Sequence, residues 1–84
     1  MKANLDCMRD VLCYIYHNLD ELERIRLSDI MISCSYPREE LVGTLNQLLR
    51  DGLIVVQPTY TGDRLPVVVD ITADGIICMQ NLAK

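Results

Sequence analysis

Apolar residues near the start of the chain recur at steps of three and four, which places them along one side of a helix. They are Leu5, Met8, Leu12, Ile15 and Leu19. Asn4 or Asp6 can cap the start of this helix, and Asn18 with Asp20 marks its end, because such side chains compete with backbone pairing. The pattern predicts a first helix from about Leu5 to about Leu19.

A short alternation of polar and apolar residues follows at 23–27 and predicts one brief strand. Ser28 then has the chemistry of a helix N-cap, and Asp29 suits the first turn of a helix. We therefore expect a short second helix through Ile30, Met31 and Ile32.

A third helix is predicted to begin at Pro37, because proline fits the first helical position and Glu39 and Glu40 complement the positive end of the helix dipole. Gly52 stands where a left-handed residue would end it. The predicted buried stripe consists of Leu41, Leu45, Leu48 and Leu49.

Two runs rich in β-branched residues, Leu53–Val56 and Pro66–Ile71, follow the third helix and predict a hairpin with a long tip. Thr72 is then the expected cap of a last helix. Gly75 weakens the start of this helix by up to about 1 kcal/mol relative to alanine. Its apolar residues are Ile76, Ile77, Met79 and Leu82.

This order of elements resembles the winged helix-turn-helix superfamily over nearly the whole chain. The most specific part is Leu41-x3-Leu45-x2-Leu48-x3-Gly52-Leu53-Ile54, which is similar to a recognition helix that turns into the first wing strand. Asp70-Ile71-Thr72-Ala73-Asp74-Gly75 is similar to the second wing strand and the cap of the last helix. Asn4-Leu5-Asp6-x-Met8-Arg9 resembles small YjcQ-like domains of bacteria and their phages, which implies no settled activity.

The resemblance implies an α+β fold with a three-helix core, a short strand, a two-stranded wing and a C-terminal helix. The length of 84 residues leaves room for a single core and predicts one domain over residues 1–84. The resemblance also implies a DNA-binding protein, such as a transcriptional regulator or an accessory factor of a mobile element, which we expect to act as a homodimer. The rival interpretation is a winged-helix module that binds protein and not DNA.

In this family the third helix would enter the major groove with the face opposite its leucines. Asn and Gln can pair with adenine and Arg with guanine. An ordinary solvated helix face, however, has the same composition. The candidate residues on and beside this face are Arg38, Glu39, Gly43, Thr44, Asn46, Gln47 and Arg50, together with Tyr36.

Contacts to the DNA backbone would come from the wing tip and from the segment before the second helix. Any exposed hairpin loop has a similar composition, and Arg24 and Arg26 could instead pair with Glu21 or Glu23. The candidates are Thr59, Tyr60, Thr61, Arg64, Arg24 and Arg26.

The net charge of −4 argues against nucleic acid, because phosphate neutralisation by Lys and Arg supplies most non-specific affinity. A local gathering of arginines can still bind DNA, since steering follows the local field. If Glu39, Glu40, Asp51 and Asp63 cancel the arginines in space, the protein-binding interpretation is favoured.

A second apolar strip on the first helix and the apolar circumference of the last helix predict a homodimer through these two helices. The alternative is that both strips pack within one subunit. The predicted interface consists of Cys7, Val11, Tyr14, Ile77, Cys78 and Leu82.

The remaining chemistry is sparse. Cys7, Cys13, Cys34 and Cys78 form no Cys-x-x-Cys pair, and His17 has no partner at a metal-ligand spacing, so we expect reduced thiols, no metal, no cofactor and no enzymatic activity. Cys34 lies close to the turn of the helix-turn-helix, where a thiol could sense oxidation, but burial is the favoured reason for a cysteine there. The sequence shows neither a leader peptide nor a long apolar run, from which we expect a cytoplasmic protein with no membrane partner.

Overall fold

The computed structural model describes residues 4–57 and 67–83. Within these residues the fold is α+β, as predicted, and has four helices and one two-stranded antiparallel sheet. The elements in chain order are α1 (Leu5–Leu22), α2 (Leu27–Ser33), α3 (Arg38–Arg50), β1 (Ile54–Gln57), β2 (Val67–Ile71) and α4 (Ala73–Leu82).

Helix α1 starts where the sequence predicts and ends one turn later. The Asn4 side chain accepts a hydrogen bond from the Cys7 N–H at 3.1 Å, which confirms Asn4 as the cap. Asn18 does not end the helix, because its amide donates to the Tyr14 carbonyl within the helix at 2.7 Å. The end lies at Glu23, whose φ of 58° turns the chain while its N–H donates to the Leu19 carbonyl at 3.0 Å.

The strand predicted at 23–27 is reduced to one bridge. The Ile25 N–H donates to the Val68 carbonyl and the Val68 N–H donates back to Ile25, both at 2.8 Å. The start of α2 also differs from the prediction, since the Asp29 carboxylate accepts from the Arg26 N–H at 3.0 Å and the helix begins at Leu27. Ser28 therefore lies inside α2 and does not cap it.

Helix α3 begins at Arg38, one residue later than predicted, and Pro37 is its N-cap residue. The φ of 72° at Gly52 agrees with the predicted left-handed end of the helix. Leu49 is 40% exposed, so its inclusion in the buried stripe is wrong, because it lies about 100° around the helix from Leu48. The other three leucines of the stripe are fully buried: Leu41, Leu45 and Leu48.

The sheet contains an irregularity between Val55 and Val56. Ile54 and Val55 pair with Ile71 and Asp70, whereas Val56 and Gln57 pair with Val68 and Val67, so Val69 has no partner across the ladder. Such an extra residue is a β-bulge, and it lets Val68 be fully buried beside Ile25.

The start of α4 is tied to the end of α3. The Thr72 hydroxyl oxygen accepts from the Gly75 N–H at 3.0 Å, which confirms the predicted cap, and the hydroxyl donates to the Gly52 carbonyl at 2.8 Å. Gly75 is buried, and a Cβ added there would overlap the Leu53 carbonyl oxygen and lie 2.8 Å from Cγ1 of Ile71. The helix therefore needs glycine at this position to approach Leu53, which precedes β1, and Ile71 of β2 closely.

One apolar core joins all six elements, and α1 packs against α3, α4 and β2. Its fully buried side chains are Cys7, Val11, Leu12, Ile15, Ile25, Ile30, Leu41, Leu45, Leu48 and Val68. None of the helices that the structure describes is long and apolar enough to cross a membrane.

Candidate nucleic-acid interface

The face of α3 opposite its buried leucines carries one line of exposed residues. Glu39, Gly43, Asn46 and Arg50 follow one another at steps of four, three and four, so they lie along one side of the helix. At a rise of 1.5 Å per residue the line is about 16 Å long. We call these four residues the outer line.

Gly43 is the least expected member of the outer line. A glycine inside an exposed helix destabilises it by roughly 0.5–1 kcal/mol relative to alanine. An added Cβ at Gly43 would meet nothing within 4 Å, and its φ is not positive. Neither packing nor backbone conformation within the described residues therefore requires glycine here.

Two residues predicted on or beside this face point inward instead. Thr44 is 7% exposed, and its hydroxyl donates to Sγ of Cys7 at 3.2 Å, so its assignment to the DNA-binding face is wrong. The half-buried Tyr36 donates its phenol hydroxyl to the Asp10 carboxylate at 2.7 Å and so holds the start of α3 against α1.

Two further predicted residues lie at the flanks of the outer line. The Gln47 amide is half-buried and donates to both carboxylate oxygens of Asp51 at 3.0 Å. Arg38 is exposed at the start of the helix. The outer line is therefore narrower than the face expected from sequence.

Four arginines among the described residues are exposed and differ from Arg9 in their pairing. Arg9 contacts Asp6 at 3.5 Å and Asp10 at 3.1 Å, and these are the ion pairs within residues 4–57 and 67–83. Arg24 and Arg26 form none with Glu21 or Glu23 in that part of the chain. The exposed arginines in question are Arg24, Arg26, Arg38 and Arg50.

Two of the acids expected to cancel these arginines are engaged by amides. The Glu40 carboxylate accepts from the Asn4 side chain, and Asp51 accepts from Gln47. Glu39 is the exposed acid of the outer line. Asp63 lies outside the described residues, as do the wing candidates Thr59, Tyr60, Thr61 and Arg64.

The predicted dimer interface is wrong in its α1 half. Cys7 and Val11 are fully buried inside the subunit, because α1 packs its second apolar strip against α3 and α4. Tyr14, Cys78 and Leu82 are half-buried against the same core. Ile77 is 54% exposed and is the predicted interface residue with the largest free surface.

A groove of about 550 Å³ lies between α1 and the α2–α3 turn. The hydrogen bond from the Tyr36 hydroxyl to the Asp10 carboxylate, two residues of its lining, raises the pKa of the Tyr36 phenol to about 12, with burial as a further cause. Sequence reasoning missed this groove. Helical spacing shows that its α1 residues lie on one side of the helix. It does not show which segment faces them, because that depends on tertiary packing. The lining residues are Asp10, Cys13, Tyr14, His17, Asn18, Ser33, Cys34, Ser35 and Tyr36.

The described residues contain no group of three or more potential metal ligands, and all four cysteines are free thiols.

Comparison with family models, with curated proteins and with solved structures finds no match to this chain.

Proposed function

We propose that this chain is a winged-helix protein that binds duplex DNA, with the outer line of α3 placed in the major groove. The observation that carries the proposal is Gly43, an exposed glycine in the middle of a helix that packing within the described chain does not require. A missing side chain at the centre of a helix face allows another surface to approach the helix backbone closely.

The chemistry of the outer line supports DNA as that surface. Asn46 can pair with adenine, Arg50 can pair with guanine, and Glu39 can accept from a cytosine amino group. The exposed Arg24, Arg26 and Arg38 are available for phosphates, which supply the sequence-independent part of the affinity. The total charge of −4 opposes binding, so the proposal depends on the local field around α3.

The test is fluorescence anisotropy of a labelled random-sequence duplex, titrated with the protein at several salt concentrations. We expect salt-dependent binding, and we expect Arg38→Gln, which removes an exposed charge available for phosphates, to reduce the slope of log affinity against log salt by about one. Arg9→Gln is the matched control, since it removes the same charge from an arginine that is already paired with Asp6 and Asp10. No salt-dependent binding by the parent protein would refute the proposal.

The proposal includes a homodimer, now formed by α4 alone. Ile77 is half-exposed on α4, and a two-fold contact there would pair it with its counterpart. Ile77→Asp should convert a dimer into the 9.6 kDa monomer in sedimentation velocity. Asn46→Asp adds the same charge at an exposed position of α3, on a different helix from Ile77, and should leave the dimer intact. A parent protein that sediments as a monomer at high concentration would contradict the dimer.

A second candidate function, a protein-binding module without DNA affinity, is favoured by one observation. Ile32 on α2 is 86% exposed and its neighbour Met31 is 43% exposed. Exposed apolar patches mark surfaces that contact other proteins. Under this candidate the parent protein lacks salt-dependent duplex binding, and Ile32→Ser lowers its self-association while Arg50→Gln does not.

A further inference from the structure

Three side-chain hydrogen bonds join α1 and its cap to α3 and the residue that leads into it. Within residues 4–57 and 67–83, every side-chain-to-side-chain hydrogen bond between distant parts of the chain belongs to this set. The α1 members stand at steps of three, and their partners stand at steps of four. We call the set the polar seam, and its pairs are Asn4 with Glu40, Cys7 with Thr44, and Asp10 with Tyr36.

Each bond of the polar seam is directional and constrains the two groups that it joins. The Thr44 hydroxyl donates to Sγ of Cys7 at 3.2 Å in the core, where an unpaired hydroxyl is costly. The Tyr36 hydroxyl donates to one carboxylate oxygen of Asp10 at 2.7 Å, and Arg9 donates to the other at 3.1 Å. The seam therefore fixes the first half of α3 to α1 at defined points.

The polar seam lies on one flank of α3. At about 100° per residue, Glu40 and Thr44 project between the buried leucines and the outer line. The leucines are held by burial of apolar area, a non-directional attraction that tolerates small shifts in packing. A hydrogen bond on the flank resists rotation of the helix, because rotation lengthens or bends it.

The outer line is sensitive to such a rotation. Side chains extend a helix to a radius of about 5–6 Å, so a rotation by about 20° moves a group at that radius by about 2 Å. Binding groups must be held within about 0.5 Å of their productive geometry. A 20° rotation, taken as an order-of-magnitude case, therefore breaks contacts to base edges while the long-range attraction to phosphates changes little.

We propose that the polar seam sets the rotation of α3 on α1 and so aims the outer line at the base edges of DNA. Tyr36 and Thr44 are then positioning residues, which act on recognition without contacting the duplex. This inference rests on the proposed function and adds the means by which the chain prefers one sequence over others. Sequence reasoning placed both residues on or beside the DNA-binding face, whereas their bonds to α1 give them this indirect role.

The test compares two duplexes in fluorescence anisotropy, one selected by the full-length parent protein from a randomised pool and one of random sequence. The double variant Tyr36→Phe/Thr44→Val keeps the approximate shape of both side chains and removes two bonds of the seam, while Asp10 retains its bond to Arg9. We expect this variant to bind the selected duplex about tenfold more weakly. Its affinity for the random duplex and its salt slope should be unchanged.

Two control variants separate positioning from loss of stability. Ile25→Val removes a methylene group from the core away from the seam, so it destabilises the fold but should leave the sequence preference unchanged. Thr44→Ser retains the hydroxyl and should bind the selected duplex nearly as the parent does, whereas Thr44→Val should not. Urea unfolding of every variant gives the folded fraction under the conditions of the binding assay.

The outcomes separate this inference from the proposed function. A parent protein that binds no duplex refutes both. A parent that binds duplexes without selecting a sequence overturns the positioning role and leaves duplex binding in place. The same conclusion follows if the double variant keeps the preference of the parent, weakens equally on both duplexes, or loses no more preference than Ile25→Val.

Discussion

Two glycines on two helices differ in how far the chain itself explains them. Gly75 on α4 is buried, and a Cβ there would overlap the Leu53 carbonyl oxygen. Gly43 on α3 is exposed, and a Cβ there would meet nothing within 4 Å. Both residues weaken their helices by roughly the same intrinsic amount, about 1 kcal/mol relative to alanine.

The difference separates a structural glycine from a candidate functional one. At Gly75 the lost helix propensity is offset by close packing of α4 against Leu53 and Ile71, so the explanation lies inside the subunit. At Gly43 no such contact exists among the described residues. The proposed interface is therefore centred on Gly43. Alanine substitutions at the two glycines should change stability in opposite directions.

The largest expected effect is that of Gly75→Ala. The added methyl group forces α4 away from the Leu53 carbonyl, and overpacking of this kind lowers the free energy of unfolding by about 2 kcal/mol. Urea unfolding followed by circular dichroism measures the loss. A variant as stable as the parent would mean that Gly75 does not hold α4 against the Leu53 backbone.

A smaller loss is expected from Thr72→Ala. This change removes the hydroxyl that caps α4 at the Gly75 N–H and bonds to the Gly52 carbonyl. Loss of such a cap lowers the free energy of unfolding by about 1 kcal/mol. Thr72→Ser retains the hydroxyl and should recover most of the stability in the same urea experiment. Equal losses in both variants would contradict the capping role.

Gly43→Ala should have the opposite sign. It is expected to raise the free energy of unfolding by about 0.5–1 kcal/mol, because alanine favours the helix and the space is open. The same variant should bind duplex DNA more weakly if the backbone of α3 approaches the groove. A rise in stability without a change in duplex affinity would remove Gly43 from the interface.

The smallest expected effect concerns the hydrogen bond between Tyr36 and Asp10 at the start of α3. Asp10→Asn removes the charged acceptor of the Tyr36 hydroxyl, so the pKa of Tyr36 should fall from about 12 towards its ordinary value near 10. Absorbance titration of the phenolate, compared between parent and variant, measures this shift. Ser35→Ala is the control and should leave the titration unchanged.

The sign of the accompanying stability change follows from the raised pKa. The folded chain favours the neutral phenol of Tyr36, so this contribution is complete below pH 10 and is lost as the pH rises through about 12. Asp10→Asn should therefore reduce the alkaline sensitivity of unfolding. An unchanged alkaline unfolding profile would show that the Tyr36 to Asp10 bond contributes nothing to it.

Local chemistry made most of the helices predictable. Asn4, Thr72 and Gly52 act at helix ends through short-range hydrogen bonds and backbone preferences, which depend on neighbours in sequence. The prediction failed at Ser28, because the Asp29 carboxylate bonds to the Arg26 N–H and begins the helix earlier. Several residues compete for each helix end, and sequence does not show which bond forms.

The inward and outward directions of side chains were harder to predict. Thr44 has a polar side chain, yet it is buried because Sγ of Cys7 on α1 accepts its hydroxyl proton. Cys7 and Val11 are buried because α1 is enclosed by α3 and α4. These outcomes depend on elements distant in sequence, so a helical projection of one segment could not reveal them.

The unpaired Val69 changes which side chains of β2 face the core. On β2 the two residues that face the core, Val68 and Ile71, stand three positions apart, although side chains of a regular strand alternate every two. The extra residue thus shifts the phase of the strand, so that the bridge to Ile25 and the connection to α4 both face inward. A strand with such a β-bulge can make two contacts, here the bridge to Ile25 and the connection to α4, whose spacing does not fit a regular ladder.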